Sequence, residues 1–228
     1  MKETKRAQVL DTLEEIADPR HTALLVIDIQ NDNASPRGML ASKGRDISWV
    51  RKTLPNIKTV LEEARRLGVL VIFMRMTRSK DGSHDSGPLL RLQEMSAHGR
   101  GLAEYEIEGT WGNEVLDELE PRPSERQVIK YRSSAFIGTT LDIILRSKAI
   151  RSAVAVGLVT EGCVESTVRH LIEHGYYTVV LSDCVSSSSQ DMHDAALLKM
   201  SARCDVMPSE ALLKVWRPAR VAHQGGVR

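Results

Sequence analysis

Three residues of this chain combine reactive chemistry with a position at the end of an apolar run. Cys163 follows Ala153-Val-Ala-Val-Gly-Leu-Val159 and Gly162, and a helix-like stretch starts behind it. At such a junction backbone N–H groups and the positive end of a helix dipole favour a thiolate, which is a nucleophile's setting. Asp28 ends the run Thr22-Ala-Leu-Leu-Val-Ile27, and Lys130 closes the shorter run Gln127-Val-Ile129. Each has an ordinary alternative reading: a small core thiol, a helix-capping acid, a solvated lysine at a strand end. If the three strands lie side by side in parallel, however, their ends converge in one crevice. A thiol, a carboxylate and an ammonium group gathered there are a nucleophile, a proton shuttle and a charge stabiliser, the parts that amide hydrolysis needs.

The elements that must position these groups are legible as alternating patterns. Apolar runs rich in Val and Ile predict strands at 23–29, 69–75, 127–131, 152–158 and 176–182, with a weaker one at 204–207. Helix-like stretches fall between and after them at 48–67, 139–148, 164–174, 191–203 and 209–216, with Gly68 and Gly175 as stop signals. Strands that alternate with helices imply an α/β fold, a doubly wound, six-stranded, mainly parallel sheet with helices on both faces. The segment 76–126 carries Gly, Pro, Ser and charge in place of a strand pattern, with a possible short helix at 113–119. An insertion of that kind is usually functional or mobile. It is expected to cover the crevice, with Trp111 near the site, at a subunit contact, or as an anchor of the loop itself. The tail from Arg217 onward reads as a loose end.

Composition narrows the function. A chain of 228 residues with 42% hydrophobic content suits a single domain, with its core at about 20–215. With 31 basic and 30 acidic residues the formal charge is +1, so no broad field draws the chain to nucleic acid or to an anionic membrane. No window approaches about 18 consecutive apolar residues, and Met1-Lys-Glu-Thr-Lys-Arg-Ala7 lacks the apolar core of a signal peptide, so a cytoplasmic protein is expected. Cys163, Cys184 and Cys204 form neither an even framework nor a Cys-x-x-Cys pair, which argues against disulfides and a zinc site. Cys184 and Cys204 lack acidic or basic partners of the Cys163 kind and read as structural. Of seven histidines, His170 and His174 lie one helical turn apart, the spacing of two metal ligands, but their helix leads away from the crevice and a surface pair is the expectation.

The segments Ala23-Leu-Leu-Val-Ile-Asp28-Ile-Gln-Asn-Asp32, Lys130-Tyr-Arg-Ser-Ser-Ala-Phe136-Ile-Gly-Thr-Thr-Leu141 and Gly157-Leu-Val-Thr-Glu-Gly-Cys163-Val-Glu-Ser-Thr167 together resemble the isochorismatase-like cysteine hydrolases. That family includes nicotinamidases, N-carbamoylsarcosine amidohydrolase, ureidoacrylate amidohydrolase and biuret hydrolase. The resemblance implies the strand order 3-2-1-4-5-6 and a catalytic set of Asp28, Lys130 and Cys163. In that set Lys130 lowers the thiol pKa, Cys163 attacks the carbonyl, and Asp28 carries the proton, with a thioester as the intermediate. It further implies a cis peptide at Leu158–Val159 and an oxyanion hole made by the N–H groups of Val159 and Cys163.

Substrate and partners follow from the same comparison. Nicotinamidases of the family bind a metal through an Asp-x-His after the second strand; this chain has Met74-Arg-Met-Thr-Arg78 there, so no metal and no other cofactor is expected. Asn33 stands where relatives commonly have an aromatic residue, which weakens the case for a nicotinamide-like substrate and, with the Cys-Val-Glu-Ser-Thr run, favours a small amide or ureido compound. Gln30, Asn33, Trp111 and Phe136 are the candidate substrate contacts. Gln30 and Asn31 read equally well as amides that order the loop. Subunit contacts near the active site are also implied, hence a homodimer or homotetramer. Hydrolysis of a vinyl ether in the same fold, and a non-catalytic scaffold, are the alternatives; the three intact residues count against both.

Overall fold

The computed structural model describes residues 2–3, 8–96 and 105–217. Strands β1 (Thr22–Ile27), β2 (Leu70–Met76), β3 (Arg126–Lys130), β4 (Ser152–Leu158), β5 (Tyr177–Ser186) and β6 (Asp205–Met207) pair throughout in parallel. Their order across the sheet is 3-2-1-4-5-6. Each expected strand is present within a few residues of its predicted bounds, β5 running furthest beyond its own.

Every residue of β1 is buried, because the strand lies in mid-sheet with helices over both faces. Successive side chains point to opposite sides. Leu24 and Val26 join a core with α1 (Ser48–Leu67) and α6 (Ser209–Trp216). Ala23, Leu25 and Ile27 join a second core with α3 (Leu141–Ser147), α4 (Glu165–Glu173) and α5 (Gln190–Ser201). Fully burying one aliphatic side chain contributes about 1.5–3 kcal/mol, so these two layers dominate the fold's stability. Packing also extends further toward the start of the chain than the apolar pattern suggested: Leu10, Ile16 and Ala17 belong to the first core, and Trp216 Nε1 donates to the Ala17 carbonyl at 2.8 Å.

The order reverses between β1 and β4, and a crevice opens there at the carboxyl ends of the strands. Gly157 makes the close approach possible. Its φ is +128°, and a Cβ at that position would collide with the Ile27 carbonyl oxygen one residue before Asp28.

The long segment between β2 and β3 departs from its reading. It contains a helix, α2 (Gly87–Ser96), whose Gly87-Pro88 start had looked like a loop signal; proline suits the first turn of a helix, where its missing N–H has no partner to lose. In place of one helix at 113–119 there are two short 3₁₀ turns, Trp111–Asn113 and Asp117–Leu119. Bridges Gln30–Val115 and Arg78–Ile107 fasten the segment to the body. The part of it at 97–104, and the tail beyond Arg217, lie outside the described residues.

Candidate active site

Asp28 follows β1 directly, with a left-handed φ of +55° that turns the chain off the sheet. Its N–H still reaches back to the Met74 carbonyl of β2 at 3.1 Å, and its Oδ1 accepts from the Met76 N–H at 3.0 Å, so the carboxylate is fixed in direction. Lys130 ends β3 and is fully buried. Its Nζ lies 2.8 Å from Asp28 Oδ2 and 3.2 Å from Cys163 Sγ, with the Arg132 carbonyl accepting at 3.3 Å. A dry ammonium is tolerable only with such partners. Cys163 sits in a wide turn, Thr160–Val164, in which the Val164 N–H reaches the Val159 carbonyl five residues back, and α4 follows at once. Three strand ends therefore bring Asp28, Lys130 and Cys163 into one cluster.

The electrostatics differ from the sequence expectation. Burial, then the charge of Asp28, pushes the Cys163 thiol up from its ordinary value, and Lys130 only partly offsets this. Burial alone would lower Lys130, but the charge of Asp28 outweighs it and holds the ammonium up. Charge counting explains both directions. Asp28 and Lys130 cancel, so ionising the thiol would leave an uncompensated buried negative charge. Asp28 and Cys163 meet on the same ammonium group, Lys130 Nζ.

A cavity of about 270 Å³ opens on this cluster. Asp28, Cys163, Leu158, Val159 and Asn33 line it, together with residues that the sequence reading did not single out as contacts: Met76, Thr77, Arg78, His84, Leu89, Leu92, Tyr105, Glu106, Tyr131 and Ser133. Most of these come from the 76–126 segment, whose irregular spacing carries no periodic signal. His84 stacks on Tyr131 with ring centroids 3.7 Å apart and forms part of the wall.

Of the four candidate substrate contacts, Asn33 alone is on the wall. Gln30 is fully buried, its Nε2 donating to the Met76 and Asn113 carbonyls and its Oε1 accepting from the Met76 N–H, so its amide is wholly engaged in holding the loop to β2. Asn31 does the same for the Trp111 carbonyl and Asp117. Trp111 is 40% exposed, away from the cavity, with its indole N–H on Asp117 and the Arg37 guanidinium over its ring. Phe136 stacks on His174 at 4.6 Å and does not line the cavity. His170 meanwhile faces the Ser134 hydroxyl at 2.7 Å, and the two histidines converge on no common ligand position. The Leu158–Val159 peptide is trans, as is every peptide bond among the described residues; Val159 is extended and its carbonyl accepts from Gly162 and Val164, which closes the turn without inversion.

Cys184 is fully buried and its thiol is pushed up by burial and then by Asp183; Cys204 is half-buried and pushed up to about 11, by burial and then by Asp205. Neither lines the cavity. Among the described residues, no group of three or more His, Cys, Asp or Glu side chains is arranged to hold a metal ion.

Comparison with known proteins agrees with this architecture. A ureidoacrylate amidohydrolase, RutB, of Caulobacter segnis is 37% identical over 188 residues, which cover 79% of this chain and 79% of that one. An isochorismatase family protein of Desulfovibrio vulgaris superposes with a TM-score of 0.71 at 29% identity, covering 86% of this chain and 98% of the other. N-carbamoylsarcosine amidase of Thermoplasma acidophilum does so with a TM-score of 0.64 at 27% identity, over 83% and 96%. Residues 22–211 match the isochorismatase domain from the first strand to the start of α6, and the chain belongs to the isochorismatase family.

Proposed function

We propose that this hydrolase cleaves the carbon–nitrogen bond of a small amide or N-carbamoyl compound, with Cys163 as nucleophile. The observation that carries the reading is Lys130 Nζ standing 2.8 Å from Asp28 and 3.2 Å from Cys163 at the wall of a substrate-sized cavity. The substrate enters and Asp28 takes the thiol proton as Sγ attacks the carbonyl carbon. Backbone N–H groups of the Thr160–Val164 turn, that of Cys163 among them, receive the developing oxyanion in place of the Val159 N–H that a cis peptide would have aimed, and Lys130 balances the charge that the thiol releases. Asp28 then delivers the proton to the departing nitrogen. Water adds to the thioester with Asp28 as base, and the acid leaves.

The ureido branch has the better support, because the relative from Caulobacter segnis is named for a ureido acid and Asn33 and Glu106 put hydrogen-bonding groups on the wall where an aromatic ring would otherwise press on a substrate. The working form is a homodimer or homotetramer: Leu92 lines the cavity yet is 53% exposed, a surface that a neighbouring subunit would cover. Among the described residues no helix is long and apolar enough to cross a membrane, and free thiols suit a reducing cytoplasm.

Ammonia release across a panel of N-carbamoyl-β-alanine, N-carbamoylglycine, ureidoacrylate, biuret, nicotinamide and simple amides tests the reading. Turnover of at least one ureido compound is expected, and Cys163→Ala should abolish it with the circular dichroism spectrum unchanged. Activity in that variant above about one per cent of wild type excludes the covalent route.

A further inference from the structure

Glu106 lines the cavity, is only 4% exposed and has no part in the reaction as proposed. It is also firmly placed. Its N–H donates to Asp32 Oδ2 at 2.8 Å and its carbonyl accepts from Asn113 Nδ2 at 3.0 Å, in a backbone turned to a left-handed φ of +56°. The side chain is gripped as well: Asn33 Nδ2 donates to Glu106 Oε1 at 3.0 Å while the same nitrogen donates to the Asp28 carbonyl at 2.9 Å. One amide thus ties this carboxyl to the segment that carries the proposed base.

We propose that Glu106 is a substrate-binding group whose carboxyl reads the carbonyl and N–H edge of a carbamoyl group. A protonated carboxyl has one O–H to donate and a carbonyl oxygen with two lone pairs. Asn33 occupies one lone pair of Oε1. The other accepts an N–H of the substrate, and the O–H donates to the substrate's oxygen. The match is to an amide or urea edge, which offers both partners side by side.

The surroundings keep the acid protonated at neutral pH. Burial, then the charge of Asp28, pushes the Glu106 carboxyl up to about 8, against the pull of the Asn33 hydrogen bond, Lys130 and Arg78. Lys130 is already paired with Asp28, and among the described residues Asp32, which accepts from the Glu106 N–H, and the adjoining Tyr105 also stand beside it. Below pH 8 the donor is present. Above it Glu106 becomes acceptor-only and stands as a second negative charge beside Asp28, so binding fails.

This inference rests on the amidohydrolase reading, and its test separates the two. For wild type, kcat/KM toward the best ureido substrate of the panel should fall about tenfold per pH unit above pH 8. Glu106→Gln keeps a donor and an acceptor but cannot titrate; it should lose the fall near pH 8 at the cost of a severalfold lower kcat/KM at pH 7. Glu106→Ala should raise KM at least tenfold. Turnover in which Glu106→Gln retains the fall near pH 8 overturns the inference and leaves the amidohydrolase reading standing; no turnover of any panel compound by wild type removes both. Should the Glu106 variants fail to fold, the Cys163→Ala protein with ¹³C-labelled glutamate carboxyls provides the second measurement. Saturating N-carbamoyl-β-alanine should move the carboxyl that titrates near 8 to higher pH, and an unmoved or lowered titration overturns the proposal.

Discussion

At the scale of single residues, the informative result is the state of the thiol. A strand-to-helix junction with a lysine nearby suggests a stored thiolate, but burial and Asp28 together outweigh Lys130 and push the Cys163 thiol above its ordinary value. Ionisation then belongs to the reaction step, driven as the proton moves to Asp28. Reactivity toward a thiol reagent follows the thiolate fraction. Alkylation of Cys163 by iodoacetamide is therefore expected to climb about tenfold per pH unit from pH 7 to pH 9 with no plateau, read by mass mapping of the three cysteines. Asp28→Asn should raise the rate at each pH, since it removes a charge that opposes the thiolate, while turnover is lost. A rate already at its plateau at pH 7 contradicts this account.

At the scale of elements, the crevice depends on how closely β4 approaches β1. That approach uses the missing side chain of Gly157, and the turn that follows β4 aims Cys163 at the ends of β1 and β3. Gly157→Ala would set a methyl group against the Ile27 carbonyl at a backbone angle that side chains rarely adopt. The variant should lose about 3 kcal/mol or more of stability in urea unfolding, and its residual folded fraction should show weakened turnover because Asp28 adjoins the displaced carbonyl. Stability within about 0.5 kcal/mol of wild type would show that β1 and β4 can separate freely. Gln30 and Asn31 illustrate the same dependence from the loop side. Their amides tie the 76–126 segment to β2 and to the end of β1, and so position Glu106 without touching the cavity.

At the scale of the whole molecule, the cavity has polar groups at its base and leucines toward its mouth, among them the half-exposed Leu92 on α2. Water at that mouth weakens the attraction between Lys130 and its anionic partners, since interactions in a dry site exceed those in water. A neighbouring subunit would exclude it. Light scattering is expected to show a multimer at assay concentration, and dilution to monomer should lose activity before it loses secondary structure. A monomer with full activity refutes the proposed assembly.

The alternation of apolar runs with amphipathic ones determined the sheet, its helical layers and the bounds of α1 and α6, because these patterns repeat over whole elements and each repeat reports the same burial. Asp28, Lys130 and Cys163 were legible as candidates for a related reason: each stands at or just beyond the end of a strand, and parallel strands bring their ends together. Tertiary structure decided the remainder. Glu106, Tyr105 and His84 reach the cavity through a segment with no period, and Gln30, Trp111 and Phe136 have the right chemistry but are turned to other partners. The charge state of the thiol was hidden too, since it depends on how deeply three groups far apart in sequence are buried and on which of them lies nearer. Residue type and spacing record which face is apolar; they do not record the distance and desolvation that set a pKa or aim a side chain.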